Sequence, residues 1–296
     1  MNRIGVFGGT GYLASLIKNQ NNIKKNRYTF FSRKKKSKNY VDYFSFKKKY
    51  NALKNFDIFI HLAGPNQNQL KKNKNLLKKR SLITSNICDF CLSNNIKLIY
   101  LSSLQIYKNY GKSNLKISSK INQKNLYSIS HHESEKIITK KFSKNKKMFT
   151  ILRMGNVFGL TKYNNMKEIT NNLIHNLCIL ALKKKKIFIQ NGSIQRSFVP
   201  SQVFIYVINL IIKKQIFNNS IINISYKSLN LKEVAQIIEK RLKLIFKIKT
   251  NTIIKKFNKK KKFSIYPNKN FKLYFNDRKI SQEIDRILKI IKKEIK

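Results

Sequence analysis

Cysteine is scarce in this chain, with three residues in 296, and its start shows no basic segment, apolar stretch and small-residue cleavage site in series. Both observations argue against a secreted scaffold held by disulfides and for a reducing compartment, so a cytoplasmic protein is expected. Long apolar runs are lacking too. The longest, "VFIYVINLII" at 203–212, is about half of what a bilayer-spanning helix needs, which argues against a membrane span and for a buried helix. There is no Gly/Ser-rich linker and no internal repeat, so two separately tethered domains are not expected. At 42% hydrophobic, 296 residues can bury a sizeable core, as one large domain or as one domain with a smaller lobe.

Acidic residues are also few, 12 Asp and Glu against 64 Lys and Arg, for a formal net charge of +52. Such an excess suits a polyanion, because clustered cations gain affinity by releasing counterions from phosphates. Only nine of the 64 are Arg, however, and Asn, Ile, Phe and Tyr are plentiful beside the lysines. Apart from Arg, these share codons rich in A and T, so a biased genome accounts for the excess. The lysines are scattered in runs, "RKKKSK" (33–38), "KKKK" (183–186) and 259–262, between hydrophobic segments. They read as a solvated face, with no specific nucleic-acid partner. Cys88 with Cys91 and His175 with Cys178 have the spacing of two metal-ligand pairs. Both pairs fall in helix-like apolar patterns, where free Cys is most often a small buried hydrophobe, so no metal site is expected.

What is present is alternation. Short apolar runs, "RIGVFGG" (3–9), "YTFFS" (28–32), "DIFIHLAG" (57–64), "KLIYLSS" (97–103) and "FTILRMGNVFG" (149–159), are separated by helix candidates at 11–19, 72–93 and 127–145. Strands that alternate with helices pair in parallel through crossovers, which gives an α/β fold with a doubly wound parallel sheet over residues 1–160. The order then changes: a helix at 166–182, a strand "KIFIQNG" (186–192), an apolar helix at 201–213, a strand "SIINIS" (220–225), a helix at 230–241 and the amphipathic "ISQEIDRILKIIKKEI" (280–295). Residues 161–296 are read mainly as a smaller C-terminal substrate-binding lobe, with the chain rejoining the sheet at about 195–225.

The stretch "VFGGTGYLAS" sets Gly8, Gly11 and Ala14 at the G-x-x-G-x-x-A spacing, after a strand and with Tyr12 and Leu13 opening a helix. Glycines there allow a tight turn and let backbone N–H groups approach a pyrophosphate, the mark of a Rossmann dinucleotide site. Folds that prefer NAD usually place an acid at the end of the second strand to hold the ribose 2′-hydroxyl. That place reads "FFSRKKK", where Ser32 and Arg33 offer a hydroxyl and a cation. NADP(H) is therefore preferred, with NAD(H) as the alternative.

Taken in order, "GGTGYLA" (8–14), "DIFIHLAG" (57–64), "YLSSLQIY" (100–107), "YSISHHESE" (127–135), "LRMGNVFG" (152–159), "GSIQRSFV" (192–199) and "INIS" (222–225) make the chain resemble an extended short-chain dehydrogenase/reductase of the nucleotide-sugar epimerase/dehydratase family. The resemblance implies cofactor contacts from the glycine turn and from Leu62, Ala63 and Gly64. It also implies that Ser103 bonds the reacting sugar oxygen and that Tyr127 exchanges a proton with it. Asn156 then contacts a nucleotide sugar and Arg196 binds its pyrophosphate. A homodimer and a place in surface polysaccharide synthesis are compatible with the resemblance. Each residue also has a plainer reading, as a capping Ser, a buried Tyr, a turn Asn and a surface Arg.

The departures are informative. A sugar 4,6-dehydratase would carry an Asp-Glu pair after the serine, where Leu104 and Gln105 stand, and a 3,5-epimerase-reductase would need a nearby Cys. What remains is 4-epimerisation or ketoreduction. The family often has an R-x-G-D clamp on the nucleotide where this chain reads "YPNKN" (266–270), which leaves the nucleotide open. Most telling is His131, four residues after Tyr127, where the family has a lysine that binds the nicotinamide ribose and favours the ionised tyrosine. Four residues on a helix share a face, so His131 can take the ribose contact. An imidazole is mostly neutral at pH 7 and activates Tyr127 less unless its own pKa is raised.

If Ser32 and Arg33 read a 2′-phosphate, NADPH binds more tightly than NADH, and Arg33→Asp narrows or inverts the difference by placing a like charge against the phosphate. Titration calorimetry with both dinucleotides tests this, and equal affinities in the unsubstituted protein would refute it.

Overall fold

The structure is a computed structural model and describes residues 1–19, 26–32, 39–44, 51–161, 172–258, 263–265 and 278–295. Arg33, the lysine runs at 33–38 and 259–262 and the segment 266–270 lie outside the described residues. In chain order the strands are β1 (Arg3–Phe7), β2 (Arg27–Phe31), β3 (Ile58–His61), β4 (Lys97–Ser103), β5 (Phe149–Met154), β6 (Asn156–Phe158), β7 (Lys186–Asn191), β8 (Gln195–Pro200), β9 (Ser220–Ile224), β10 (Lys227–Asn230) and β11 (Asn251–Lys256). The helices are α1 (Tyr12–Lys18), α2 (Gln67–Lys72), α3 (Leu76–Ser93), α4 (Leu126–Lys141), α5 (Leu173–Lys184), α6 (Ser201–Lys213), α7 (Leu231–Phe246) and α8 (Lys279–Ile295).

The chain divides into two compact units, one of Met1–Lys108, Ile117–Met154 and Ile208–Asn223, the other of Asn109–Lys116, Gly155–Val207 and Ile224–Lys296. The first unit is built on a six-stranded sheet in the order β2-β1-β3-β4-β5-β9, with β1 to β5 paired in parallel. β3 and β5 are buried at every residue and β1 and β4 at all but the first, as expected where helices cover both faces of a parallel sheet. With no tryptophan in the chain, phenylalanine and tyrosine fill this core. The Phe7 ring lies 4.8 Å from that of Phe59, 5.2 Å from Phe31 and 5.4 Å from Tyr43, each contact worth about 0.5–1.5 kcal/mol beyond the area it buries.

In the second unit β10, β8 and β6 form a three-stranded sheet and β11 pairs in parallel with β7. Its core is lined by α5, α7 and α8. α8 shows why its sequence is helical: Ile280, Ile284, Ile287, Leu288 and Ile291 recur at helical spacing and are all buried. Asp285 on α8 accepts from Arg241 on α7 through both guanidinium arms, each at 2.6 Å.

Two elements differ from the sequence pattern. "FTILRMGNVFG" is not one strand, because the chain breaks at Gly155: β5 joins the six-stranded sheet and β6 pairs with β8. A Cβ at Gly155 would lie 2.4 Å from Ser197 Oγ, a close approach that only glycine allows. The helix expected over 72–93 is α3, starting at Leu76, and a short helix the pattern did not show precedes it, because Asn66 and Gln69 form a reciprocal capping box that starts α2 and Asn73 leaves helical backbone angles to end it. Cys88, Cys91 and Cys178 are buried free thiols, and burial pushes all three up from the usual thiol range. Among the described residues no group of three or more His, Cys, Asp or Glu could hold a metal, and no helix is long and apolar enough to cross a membrane.

Glu283 is fully buried on α8, where its Oε1 accepts from Ser201 Oγ at 2.9 Å and its Oε2 has no partner. Burial raises its pKa above the ordinary carboxylate value against the pull of Ser201 and Arg286. Its contribution to stability is therefore present at acidic pH and is lost as pH rises through the raised folded value. Glu283→Gln is expected to raise the thermal midpoint more at pH 8 than at pH 5, measured by calorimetry across that range.

Candidate active site

In a doubly wound sheet, ligands bind beyond the strand C-termini where the strand order reverses, because successive crossovers there run to opposite sides. β1 has β2 on one side and β3 on the other, so the reversal falls between β1 and β3. The glycine turn leaves β1 at that place. Gly8 has φ +87°, in the left-handed region, and a Cβ on it would lie 2.9 Å from Ala63 N, so the turn packs on the Leu62–Ala63 backbone that leaves β3. The turn is held from behind, since Gly8 N–H donates to Tyr43 Oη (3.0 Å) and Tyr43 O–H donates to Phe31 O (2.7 Å). Thr10 and Gly11 are exposed, Tyr12 and Leu13 are half-buried and Ala14 is buried. Ser32, at the end of β2, is buried and bonded through its backbone to Asn39 and Val41.

Ser103 is the last residue of β4, and its Oγ accepts from Gln105 N–H (3.2 Å), which is the capping role. α4 begins at an Asn125 cap, whose Oδ1 accepts from Tyr127 N–H at 2.8 Å, which puts Tyr127 in the first turn. Ser128 Oγ donates to Gln105 O (2.8 Å), tying that turn to the segment after Ser103. Further along α4, Glu135 accepts from Arg153 of β5 through both carboxylate oxygens, at 3.1 and 2.7 Å, with both side chains buried. Arg153 also donates to Tyr107 Oη (2.8 Å), whose O–H donates to Asn223 Oδ1 (2.7 Å). Burial alone would raise the Glu135 carboxyl, but the contacts to His132 and Arg153 outweigh it and hold the group below its ordinary value.

His131 lies one helical turn beyond Tyr127, with the two rings edge to face at 4.6 Å. It is buried, and its Nδ1 is 3.0 Å from Tyr100 Oη. Burial pushes the Tyr100 hydroxyl up to about 12, so it keeps its proton and the contact joins two neutral groups. The other ring nitrogen, Nε2, is buried with no partner. Burial lowers the His131 pKa well below the ordinary value, and the positive charge of Arg80 adds to the effect. His61, at the end of β3, is pushed down to about 3 by burial and then by Arg80. His61 Nε2 is 3.1 Å from Thr84 Oγ1 on α3.

The sequence reading missed Arg80. Its side chain is 5% exposed, NH1 donates to Ser130 Oγ (2.9 Å), and Nε is buried without a partner. A Cβ on Gly64 would lie 2.3 Å from its Nε and NH2, so the guanidinium is pressed against the backbone that follows β3. The run "KKR" disguised it as part of the lysine surplus. The available signal was register, for Arg80 shares the buried face of α3 with Ile83, Thr84, Ile87 and Cys91. The residues of this unit fit a dinucleotide: a glycine turn at the strand reversal, exposed at Thr10 and Gly11, and two buried nitrogens, His131 Nε2 and Arg80 Nε, left without partners.

Asn156 and Arg196 belong to the second unit. Asn156 Nδ2 donates to Tyr110 Oη and to Ser197 O, both at 3.0 Å, and the Arg196 guanidinium sits 5.5 Å from the centre of the Tyr110 ring. Tyr110 thus brings the two half-buried residues to one place. Gly111 beside it has φ +79°, and a Cβ there would meet Gln195 O at 2.5 Å.

Because the Glu135 value is depressed in the folded chain, its contribution is present above the unfolded carboxylate range and is lost as pH falls through the lower folded value. Glu135→Gln breaks a buried pair and should cost about 3 kcal/mol at neutral pH, less in acid. Urea unfolding at pH 7 and pH 3.5 should show the two proteins converging at the lower pH.

Comparison with known proteins agrees with the fold. The structure is similar to UDP-N-acetylglucosamine 4-epimerase from Bacillus cereus (20% identity, 99% of this chain and 100% of that one, TM-score 0.77). It is similar also to UDP-glucose 4-epimerase from Bifidobacterium longum in complex with NAD+ and UDP (16% identity, 99% of each chain, TM-score 0.78). A third is dTDP-glucose 4,6-dehydratase from Bacillus anthracis in complex with NAD (15% identity, 99% of this chain and 97% of that one, TM-score 0.76). No curated protein matches in sequence. The model of the NAD dependent epimerase/dehydratase family matches residues 4–225, well over half of the chain, and the chain belongs to that family.

Proposed function

We propose that this chain is an NAD(P)-dependent enzyme that acts on a nucleotide sugar as a 4-epimerase or ketoreductase, with Tyr127 as acid and base. The observation that carries the reading is the 2.8 Å bond from Ser128 Oγ to Gln105 O, which joins the helical turn bearing Tyr127 to the strand end bearing Ser103. A bound nicotinamide dinucleotide supplies hydride exchange at the sugar carbon. Tyr127 Oη takes the sugar hydroxyl proton when that carbon is oxidised and returns it when the carbon is reduced, and Ser103 Oγ holds the oxygen between the two events. His131 Nε2–H is the donor offered to the nicotinamide ribose, and Arg196 with Asn156 receives the sugar nucleotide. Dehydration is disfavoured, because fully buried Leu104 and neutral Gln105 leave no acid or base after Ser103.

The nucleotide is proposed to be a uridine diphosphate, by analogy with the similar 4-epimerases. NADP(H) is preferred over NAD(H) on the strength of Arg33. The neutral state of His131 favours a second reading, a protein of this fold that binds the dinucleotide without turnover.

One experiment separates the two. Purified protein with NAD+ or NADP+ is incubated with UDP-glucose and UDP-N-acetylglucosamine, and the C4 epimers are resolved chromatographically. Turnover is expected, and Tyr127→Phe should lower it by about two to four orders of magnitude while dinucleotide affinity stays nearly unchanged, since only the proton donor is lost. Full activity in Tyr127→Phe would refute the acid/base role. Dinucleotide binding without turnover on any nucleotide sugar would favour the second reading.

A further inference from the structure

A buried cation is costly unless an anion accompanies it, and a chain with so many lysines on its surface has no need to bury one more. Arg80 is nonetheless 5% exposed and pairs with no carboxylate among the described residues. It reaches the site from α3 rather than from α4. Its NH1 bonds Ser130 Oγ (2.9 Å), and Ser130 Oγ donates to Tyr127 O (2.9 Å), so the guanidinium is anchored to the helical turn that carries Tyr127 and His131. Arginine suits this place because its charge is delocalised and weakly hydrated, and survives burial better than an ammonium.

We propose that Arg80, and not residue 131, carries the fixed positive charge needed at the Tyr127 site, with the tyrosinate formed during the reaction as its transient anionic counterpart. The proposal rests on the reading of Tyr127 as acid and base. The charged and titratable groups around Tyr127 and His131 are His61 from β3, Arg80 from α3, Tyr100 from β4, and His132 and Glu135 from α4, with Glu135 paired with Arg153 from β5 and 3.8 Å from His132 Nδ1. His61, His131 and Tyr100 are neutral at working pH and Glu135 is paired, which leaves Arg80 as the one uncompensated charge of the set. Arg80 therefore acts as a positioning residue, electrostatically, and His131 is left as a neutral donor.

The test moves the charge. Arg80→Gln keeps a donor toward Ser130 but is neutral, and the pH of half-maximal turnover should rise by about one unit or more. Arg80→Gln with His131→Lys relocates the cation and should bring the profile back. A readout independent of turnover is the titration of the imidazoles in the dinucleotide-free protein by NMR. His61 and His131 should take up protons at higher pH in Arg80→Gln than in the native protein, because a cation that opposes their protonation is gone. An unchanged pH profile in folded Arg80→Gln, or unchanged imidazole titrations, would overturn the proposal, as would a double variant that stays shifted. Should Arg80→Gln fail to fold, Arg80→Lys decides: a native pH profile despite a lower thermal midpoint supports the proposal, and a profile shifted upward overturns it. Failure of the underlying reading is visible separately, as undiminished turnover in Tyr127→Phe.

Discussion

The bidentate ion pair between Arg153 on β5 and Glu135 on α4 is the contact on which the candidate site depends. A helix lying on a sheet can rotate or slide if only apolar contacts hold it, because dispersion and hydrophobic burial carry little direction. Two parallel N–H···O bonds at 3.1 and 2.7 Å fix both rotation and register. With α4 so fixed, Tyr127 and His131, two turns and one turn before Glu135, have one orientation toward the strand ends. The Tyr107 and Asn223 hydroxyl and amide extend the same network across β9, so the sheet's far edge is tied to it as well.

The charge of the chain has two populations. The lysine run at 183–186 is exposed, while Arg80 and Arg153 are buried with specific partners. The same distinction holds among the acids of the described residues, of which Glu135 and Glu283 are buried. Net charge therefore says little about this protein's chemistry, and the location of a few guanidinium and carboxylate groups says a great deal.

The site is also a lesson in desolvation. An imidazole on a helix surface could have gained a proton and stood in for an ammonium. Here it is buried, with Arg80 and His61 near it, and these hold it neutral. A histidine four residues after Tyr127 therefore does not bring the charge that a lysine there would bring.

The sequence by itself determined the alternation that builds the parallel sheet, the glycine turn after β1, and the places of Ser103 and Tyr127, because each is encoded in a short stretch whose periodicity or turn chemistry needs no distant partner. The break at Gly155 was not legible, since the close approach of Ser197 that requires glycine comes from residues some forty positions on. Nor was the state of His131, because desolvation is a property of the assembled interior rather than of nearest neighbours in the chain. Arg80 shows the limit most clearly. Fifty residues separate it from Ser130, and only the packing of α3 on α4 turned one cation of a lysine-rich run into a buried charge bonded to Ser130.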